Sequence, residues 1–166
     1  KLGKYQYNAK DRLFSVFEDR QQRVWIGKQD GLYRLENDSL VAVLPLIHTT
    51  LTARVEDIAE LPNGSLVFAT KGNGLVVWDG QKAVNIRKSD GLQTDMIENV
   101  ATDAHGNIWV GTLAGLHKLT PQTNRQWYVQ PITMFQGLPS NEINDIAPNT
   151  EGGIFCAEMV VKIKKR

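Results

Sequence analysis

Hydrophobic positions in this chain come in short runs of strand length, alternating with polar residues or wholly apolar, and clusters of Gly, Asn, Asp and Pro separate them. This is the pattern of half-buried and buried β-strands. No segment of useful length carries the 3.6-residue period of an amphipathic helix. In the clearest stretch the pattern predicts an inner strand over 97–101 and a turn at Asp103-Ala104-His105-Gly106-Asn107. Strands over 108–111 and 116–119 follow, then an outer strand from 126 to 129 or beyond. Met96-Ile97-Glu98-Asn99-Val100 would pass for a helical turn alone. Its copy at Glu142-Ile143-Asn144-Asp145-Ile146 has the same phase, so both read as inner strands. The same order gives 55–59, 66–70, 75–78 and 83–86, and before them 13–17, 24–27, 32–35 and 41–44. Three strands over 143–147, 154–157 and 160–163 come last, and 4–7 reads as an outer strand with no blade before it.

The runs repeat. Val24-Trp25-Ile26-Gly27 precedes Gly31-Leu32, and Ile108-Trp109-Val110-Gly111 precedes Gly115-Leu116. Between them Phe68 stands for the Trp, with Gly74-Leu75 at the same offset, and Ile154-Phe155 is a worn fourth copy. The steps between these aromatics are 43, 41 and 46 residues. A period of ~40–50 residues with strand-like units predicts an all-β fold, a β-propeller of four-stranded blades. Blade 1 is expected over about 13–46, blade 2 over 55–87, blade 3 over 97–135 and a partial blade 4 over 143–163. Either 4–7 supplies the missing strand and closes a four-bladed ring, or the chain is an arc of a larger propeller. The arc is preferred, and a pair of self-associated arcs is a third possibility. The chain starts at Lys1, not Met, as expected of a piece of something longer.

The repeated residues have structural expectations first. Trp25 and Trp109, with Phe68 and Phe155 in their place, are expected to pack between blades. Gly27 and Gly111 would allow close approach beside the ring, with Thr70 and Ala157 in the weaker copies. Asp19 and Asp103 lie six residues before each Trp and should accept backbone N–H bonds in the turn, with Asn149 in the fourth copy. A second phrase joins the blades: Gly91-Leu92-Gln93-Thr94-Asp95 matches Gly137-Leu138-Pro139-Ser140-Asn141, 46 residues on. These connections would cluster at one end of the ring.

Composition adds mostly exclusions. The 166 residues are 42% hydrophobic and 22% charged, with a formal net charge of +1, so no general field selects nucleic acid. The basic run Lys162, Lys164, Lys165, Arg166 reads as a solvated terminus. Cys156 has no partner for a disulfide and sits in an apolar run, so it reads as a core thiol. Neither a membrane span nor a signal peptide is present in the sequence. His48, His105 and His117 show no metal-ligand spacing, and no cofactor motif or metal site is expected. Ser65 and Ser140 lack a recognisable base, and no Gly-x-Ser-x-Gly elbow occurs. Asp57, Glu60, Asp90, Asp95, Glu98, Asp145 and Glu158 are scattered rather than paired, so no catalytic residue is assigned.

Asp103, then Gly106-Asn107-Ile108-Trp109-Val110-Gly111-Thr112, then Gly115-Leu116 and Gly137-Leu138-Pro139-Ser140-Asn141, resembles the two-component regulator propeller repeat. The resemblance covers about 13–163, best in the third repeat and weakest in the second and fourth, where Trp and Gly-Thr are lost. It implies an extracytoplasmic, periplasmic sensor region of a bacterial membrane signalling protein. Many such proteins are hybrid histidine kinases controlling polysaccharide use, and others precede diguanylate cyclase modules. Sensor rings of that family are usually much longer than this chain.

The functional expectation is therefore a non-catalytic ligand-sensing module for a small molecule or oligosaccharide, in a homodimer or against further blades. Asp90, Gln93, Asn141 and Glu142, in the connections, are the default contact residues. Arg125 and Trp127 join them from the longer 120–133 segment, where an aromatic face flanked by amides and a guanidinium suits neutral or acidic sugars. The alternatives are a protein-interaction scaffold, with an edge at 160–163, and a propeller lyase or hydrolase.

Overall fold

The computed structural model describes residues 12–43, 49–149 and 153–158. Among these residues fourteen strands form four antiparallel sheets, three of them four-stranded. Blade 1 holds β1 (Leu13–Glu18), β2 (Val24–Lys28), β3 (Gly31–Glu36) and β4 (Ser39–Ala42) in sequential order. Blade 2 holds β5 (Val55–Glu60), β6 (Leu66–Thr70), β7 (Leu75–Trp78) and β8 (Ala83–Ile86). Blade 3 holds β9 (Asn99–Thr102), β10 (Ile108–Thr112), β11 (Gly115–Pro121) and β12 (Trp127–Ile132). Blade 4 shows β13 (Ile143–Pro148) paired with β14 (Ile154–Glu158). The expected outer strand at 4–7, the edge strand at 160–163, His48 and the basic run from 162 lie outside the described residues. No helix among the described residues is long and apolar enough to cross a membrane.

The all-β propeller fold is the one the repeat calls for, with shifts at particular strands. β4 begins at Ser39, because Asn37 and Asp38 both take positive φ and close a two-residue hairpin. Such turns match the twist of paired strands. β9 begins at Asn99 because Ile97 N–H bonds the Thr70 carbonyl in the neighbouring blade instead of its own sheet.

Three apolar layers lie between successive blades. Trp25, Leu32 and Val43 of blade 1 meet Leu51, Val55, Ile58, Leu66, Phe68 and Val76 around blade 2. Val67, Ala69, Leu75 and Val77 of blade 2 meet Ile97, Val100, Val110 and Leu119. Ala101, Trp109 and Leu116 of blade 3 meet Ile143 and Ile146 of blade 4. Each sheet thus has one face toward the previous blade and one toward the next, as strand alternation requires.

This phase corrects two residues of the second repeat. Trp25 pairs with Phe17 on β1, and Trp109 with Ala101 on β9, and both indoles face the next blade. In blade 2 the matching pair is Val67 with Ala59, not Phe68. Phe68 points the other way and packs on Trp25, ring centroids 6.0 Å apart. The offset to Gly-Leu misleads because five residues lie between paired Ala69 and Leu75, one more than between Gly27 and Leu32 or between Gly111 and Leu116, and a one-residue slip exchanges faces. By the same register Ala69, not Thr70, matches Gly27 and Gly111. Phe155 does keep the Trp phase, yet it is 67% exposed rather than packed between blades.

Candidate functional site: a cleft across the second and third blades

Hairpin turns of blades 2 and 3 line a hollow of about 480 Å³. Its walls come from the β5–β6 turn at Pro62-Asn63, the β7–β8 turn at Asp79 to Lys82, the β9–β10 turn at His105, and the β11–β12 loop. Leu61, Val77, Val84 and Trp127 make an apolar wall. Gln122, Arg125 and Gln126 stand opposite the turn residues and supply amide and guanidinium donors.

Local chemistry fixes these walls. In the β7–β8 turn, Asp79 Oδ1 accepts the N–H groups of Gln81 (2.9 Å) and Lys82 (2.7 Å). Those two backbone bonds, with the neighbouring Arg125 charge, hold its carboxyl below the usual carboxylate range. Asp79 Oδ2 lies 2.7 Å from Arg125 Nη2, an ion pair that bridges the mouth from one blade to the next. Gln122 N–H bonds the Gln126 carbonyl at 2.8 Å and ties the β11–β12 loop. Within that loop Asn124 and Arg125 both take φ near +60°. Asn tolerates this conformation, but for Arg125 it costs on the order of 1–3 kcal/mol. Trp127 then opens β12 opposite Pro121 and packs on the blade 2–blade 3 core.

A second, shallower hollow of about 400 Å³ continues around the outside, reached by Asn85, Asp90 and Tyr128 and sharing Arg125 and Trp127. The structure therefore brings Arg125, Trp127 and Asp90 together. It does not bring Gln93, Asn141 or Glu142 to them. Gln93 N–H donates to Nε2 of buried His117 at 3.1 Å, and Asn141 Oδ1 accepts the Met134 N–H at 2.9 Å. Glu142 is exposed in its connection, its N–H on Ser140 Oγ. Asp79, Lys82 and His105 were missed by sequence reasoning. Their signal was positional: the repeat places every β3–β4-type and β1–β2-type hairpin turn at the same end of its blade.

A second polar feature lines the inner strands. Ser15, Asp57, Asn99 and Asp145 occupy one register position of the four blades. Asp57 accepts the N–H of Ile58 (2.8 Å) and, across the seam, the N–H of Val100 (2.9 Å). Burial raises its carboxyl above the usual range, opposed by those bonds and assisted by the nearby Asp145 charge. Glu60, Asp95 and Glu98, scattered in sequence, each meet a cation: Arg20, Arg87 and Lys71 respectively. Among the described residues no group of three His, Cys, Asp or Glu side chains converges as a metal site.

No protein-family model matches the chain. A curated relative, histidine kinase P4 of Formosa agariphila, is 28% identical over 147 residues, which is 81% of this chain and 10% of the relative. Among solved structures, an extracellular domain described as part of a hybrid two-component system of B. thetaiotaomicron matches with a TM-score of 0.73 and 22% identity. It is covered over 20% of its length by 87% of this chain. A second such domain from the same organism gives 0.74 and 21%, with coverages of 23% and 95% respectively. Virginiamycin B lyase of Staphylococcus aureus gives 0.69 at 10% identity, over 92% of this chain and 51% of the lyase. The chain thus shares its fold with extracellular domains of hybrid two-component systems, and spans about a tenth of the curated relative and a fifth of those domains.

Proposed function

We propose that this chain is a non-catalytic ligand-sensing propeller segment of a larger extracytoplasmic, membrane-linked signalling receptor, and that its ligand is an oligosaccharide held in the cleft between blades 2 and 3. The observation that carries the proposal is the Trp127 ring beside a guanidinium, Arg125, whose only ion-pair partner among the described residues is Asp79 on the other blade. An indole face stacks on sugar C–H surfaces, amides read hydroxyls, and a guanidinium takes a carboxylate in bidentate fashion. A carboxylated sugar would compete with Asp79 for Arg125 and so act on the seam between two blades. Such a ligand shifts the seam only if it binds its two arrangements with different affinity. The relatives support the signalling context, a histidine kinase and two extracellular two-component domains. Output through a kinase, and a periplasmic location, belong to the same proposal.

Calorimetric titration with uronate-containing and neutral oligosaccharides tests it. W127A and R125A should each weaken binding about tenfold or more, ~1.4 kcal/mol, and R125A should remove any preference for the carboxylated sugars. Unchanged affinity in both variants would dismiss the cleft.

A further inference from the structure

Blade 2 lacks a side-chain cluster that the blades on either side of it carry, and the cleft lies at the positions of that cluster. In blades 1 and 3 a turn carboxylate precedes a polar residue and an indole, and a cation pairs opposite the indole. The residues are Asp19, Arg23, Trp25 and Arg34 in blade 1. In blade 3 they are Asp103, Asn107, Trp109 and Lys118. The carboxylate accepts the indole N–H in both blades. The cation lies over the ring, Arg34 at 5.8 Å and Lys118 at 5.2 Å. Register puts Leu61, Ser65, Val67 and Val77 at the same four positions of blade 2. The turn itself is kept, since Leu61 N–H bonds the Ser65 carbonyl at 2.8 Å, as Asp19 bonds Arg23 and Asp103 bonds Asn107. The carboxylate, the indole and the cation are gone, each replaced by an aliphatic chain.

Leu61, Ser65 and Val77 all line the hollow. It lies between two complete four-stranded blades. Ser65 is 7% exposed, and its Oγ makes no hydrogen bond among the described residues, although it is not sealed in the core. Trp127, on the same hollow, meets no other ring among the described residues, whereas Trp25 lies 6.0 Å from Phe68 and 5.8 Å from Trp78 in the preceding seam. An apolar hollow left by a missing side chain takes a ring of similar size. A pyranose does not suit this inner part, because several of its hydroxyls would be buried against one protein hydroxyl, and each one left unpaired costs free energy. A phenol suits it. The ring rests on Leu61 and Val77 with Trp127 edge-to-face, and its single hydroxyl meets Ser65 Oγ.

We infer that the inner part of the cleft binds a phenol-type aromatic ring, and that the ligand is a sugar carrying such a ring as a substituent. The inference rests on the sugar reading of the outer part, where Gln122, Arg125 and Gln126 stand, and adds Ser65, Leu61 and Val77 as specificity determinants. The bound ring fills in the seam of blades 2 and 3 the role that Trp25 and Trp109 fill in theirs.

Calorimetric titration of the full chain with 4-hydroxyphenyl β-glucuronide and with methyl β-glucuronide tests it, together with chemical-shift mapping of phenol alone. The aryl glucuronide is expected to bind about tenfold tighter or more than the methyl glucuronide. Phenol should shift the Ser65 amide and the Trp127 indole. V77F fills the hollow from a position where blades 1 and 3 carry the longer Arg34 and Lys118, and L61D/S65N restores the turn pair of blade 3. In each, with the far-ultraviolet circular dichroism of the wild type, the ratio of aryl to methyl affinity should fall to about one. Equal affinities of the wild type for the two glucuronides would overturn the inference and leave the sugar reading standing. If neither glucuronide binds, the sugar reading fails and phenol decides the ring site: shifts at Ser65 and Trp127 retain it, and none there overturns it. A ratio that survives in both variants would also overturn it.

Discussion

At the scale of single residues, the repeat is held by a carboxylate under an indole. Asp103 Oδ1 accepts the N–H groups of His105 (2.9 Å) and Asn107 (3.0 Å). Oδ2 accepts Asn107 Nδ2 (2.8 Å) and Trp109 Nε1 (3.0 Å). Asp19 does the same work in blade 1, with Trp25 Nε1 at 2.7 Å and Arg23 Nε at 2.6 Å. Burial alone would raise both carboxyls, but the donors from Trp, Asn and Arg outweigh it and hold them below the ordinary value. The six-residue spacing made the turn bonds legible. It did not show the indole bond, because sequence does not say toward which atom a ring nitrogen turns. D103A removes an acceptor and leaves three buried donors unmatched: the Asn107 N–H, Asn107 Nδ2 and Trp109 Nε1. A loss of about 3 kcal/mol in urea unfolding is expected, against near-wild-type stability for E18A at an exposed strand position. The folded pKa lies below the unfolded one, so the Asp103 contribution is complete above about pH 4 and is lost as pH falls through the folded value.

At the scale of elements, the connecting phrase proves to be a self-closing loop. A 3₁₀ turn at Lys88–Asp90 ends in Gly91 at φ 112°, and one at Met134–Gln136 ends in Gly137 at φ 102°. Asp95 Oδ1 accepts Lys88 N–H, as Asn141 Oδ1 accepts Met134 N–H, both across seven residues. Asp90 and Gln136 close the two turns from inside. The repetition of Gly-Leu and of Thr94-Asp95 with Ser140-Asn141 was plain in the sequence. Its cause was not, because a loop that closes on itself and a loop that presents a ligand site carry the same residue types. His117 then fastens the first connection to β11. Its Nε2 accepts Gln93 N–H, so the proton sits on Nδ1, a buried atom with no hydrogen-bond partner among the described residues.

Burial lowers the His117 pKa to about 4, below the ordinary 6.5. The unfolded chain therefore binds a proton that the folded chain refuses, and stability falls as pH drops from about 6.5 to about 4. At ~1.4 kcal/mol per unit this amounts to about 3 kcal/mol. Urea unfolding at pH 7 and pH 4.5 should show that loss in the wild type, and H117Q should flatten the dependence over this interval. Equal slopes in the two proteins would remove His117 from the account.

At the scale of the whole molecule, the fold was legible because the apolar period of the chain is also the period of its sheets. The register of one blade was not, because the extra residue between Ala69 and Leu75 moves the aromatic at Phe68 to the opposite face from Trp25 and Trp109. The cleft was half legible. Arg125 and Trp127 stood out as an aromatic–cation segment that broke the repeat, and Asp90 reaches the same groove from the connection side. Asp79, Lys82 and His105 come from turns 22 or more residues away from Trp127 or on another blade, and only the packing of two blades assembles them. Gln93 and Asn141 stay with their loops for the opposite reason, since backbone donors nearby already satisfy their neighbourhood.

The central claim is that the ligand enters at the hairpin-turn end, in the seam of blades 2 and 3, and not over the connections. Amide and indole chemical-shift mapping during titration with a uronate oligosaccharide tests this most directly. The account expects the largest perturbations at the Trp127 indole, the Arg125 and Gln126 amides, and Asp79 to Lys82 across the seam. Perturbations centred on Gln93, Asn141 and Glu142, with the Trp127 indole unmoved, would contradict it.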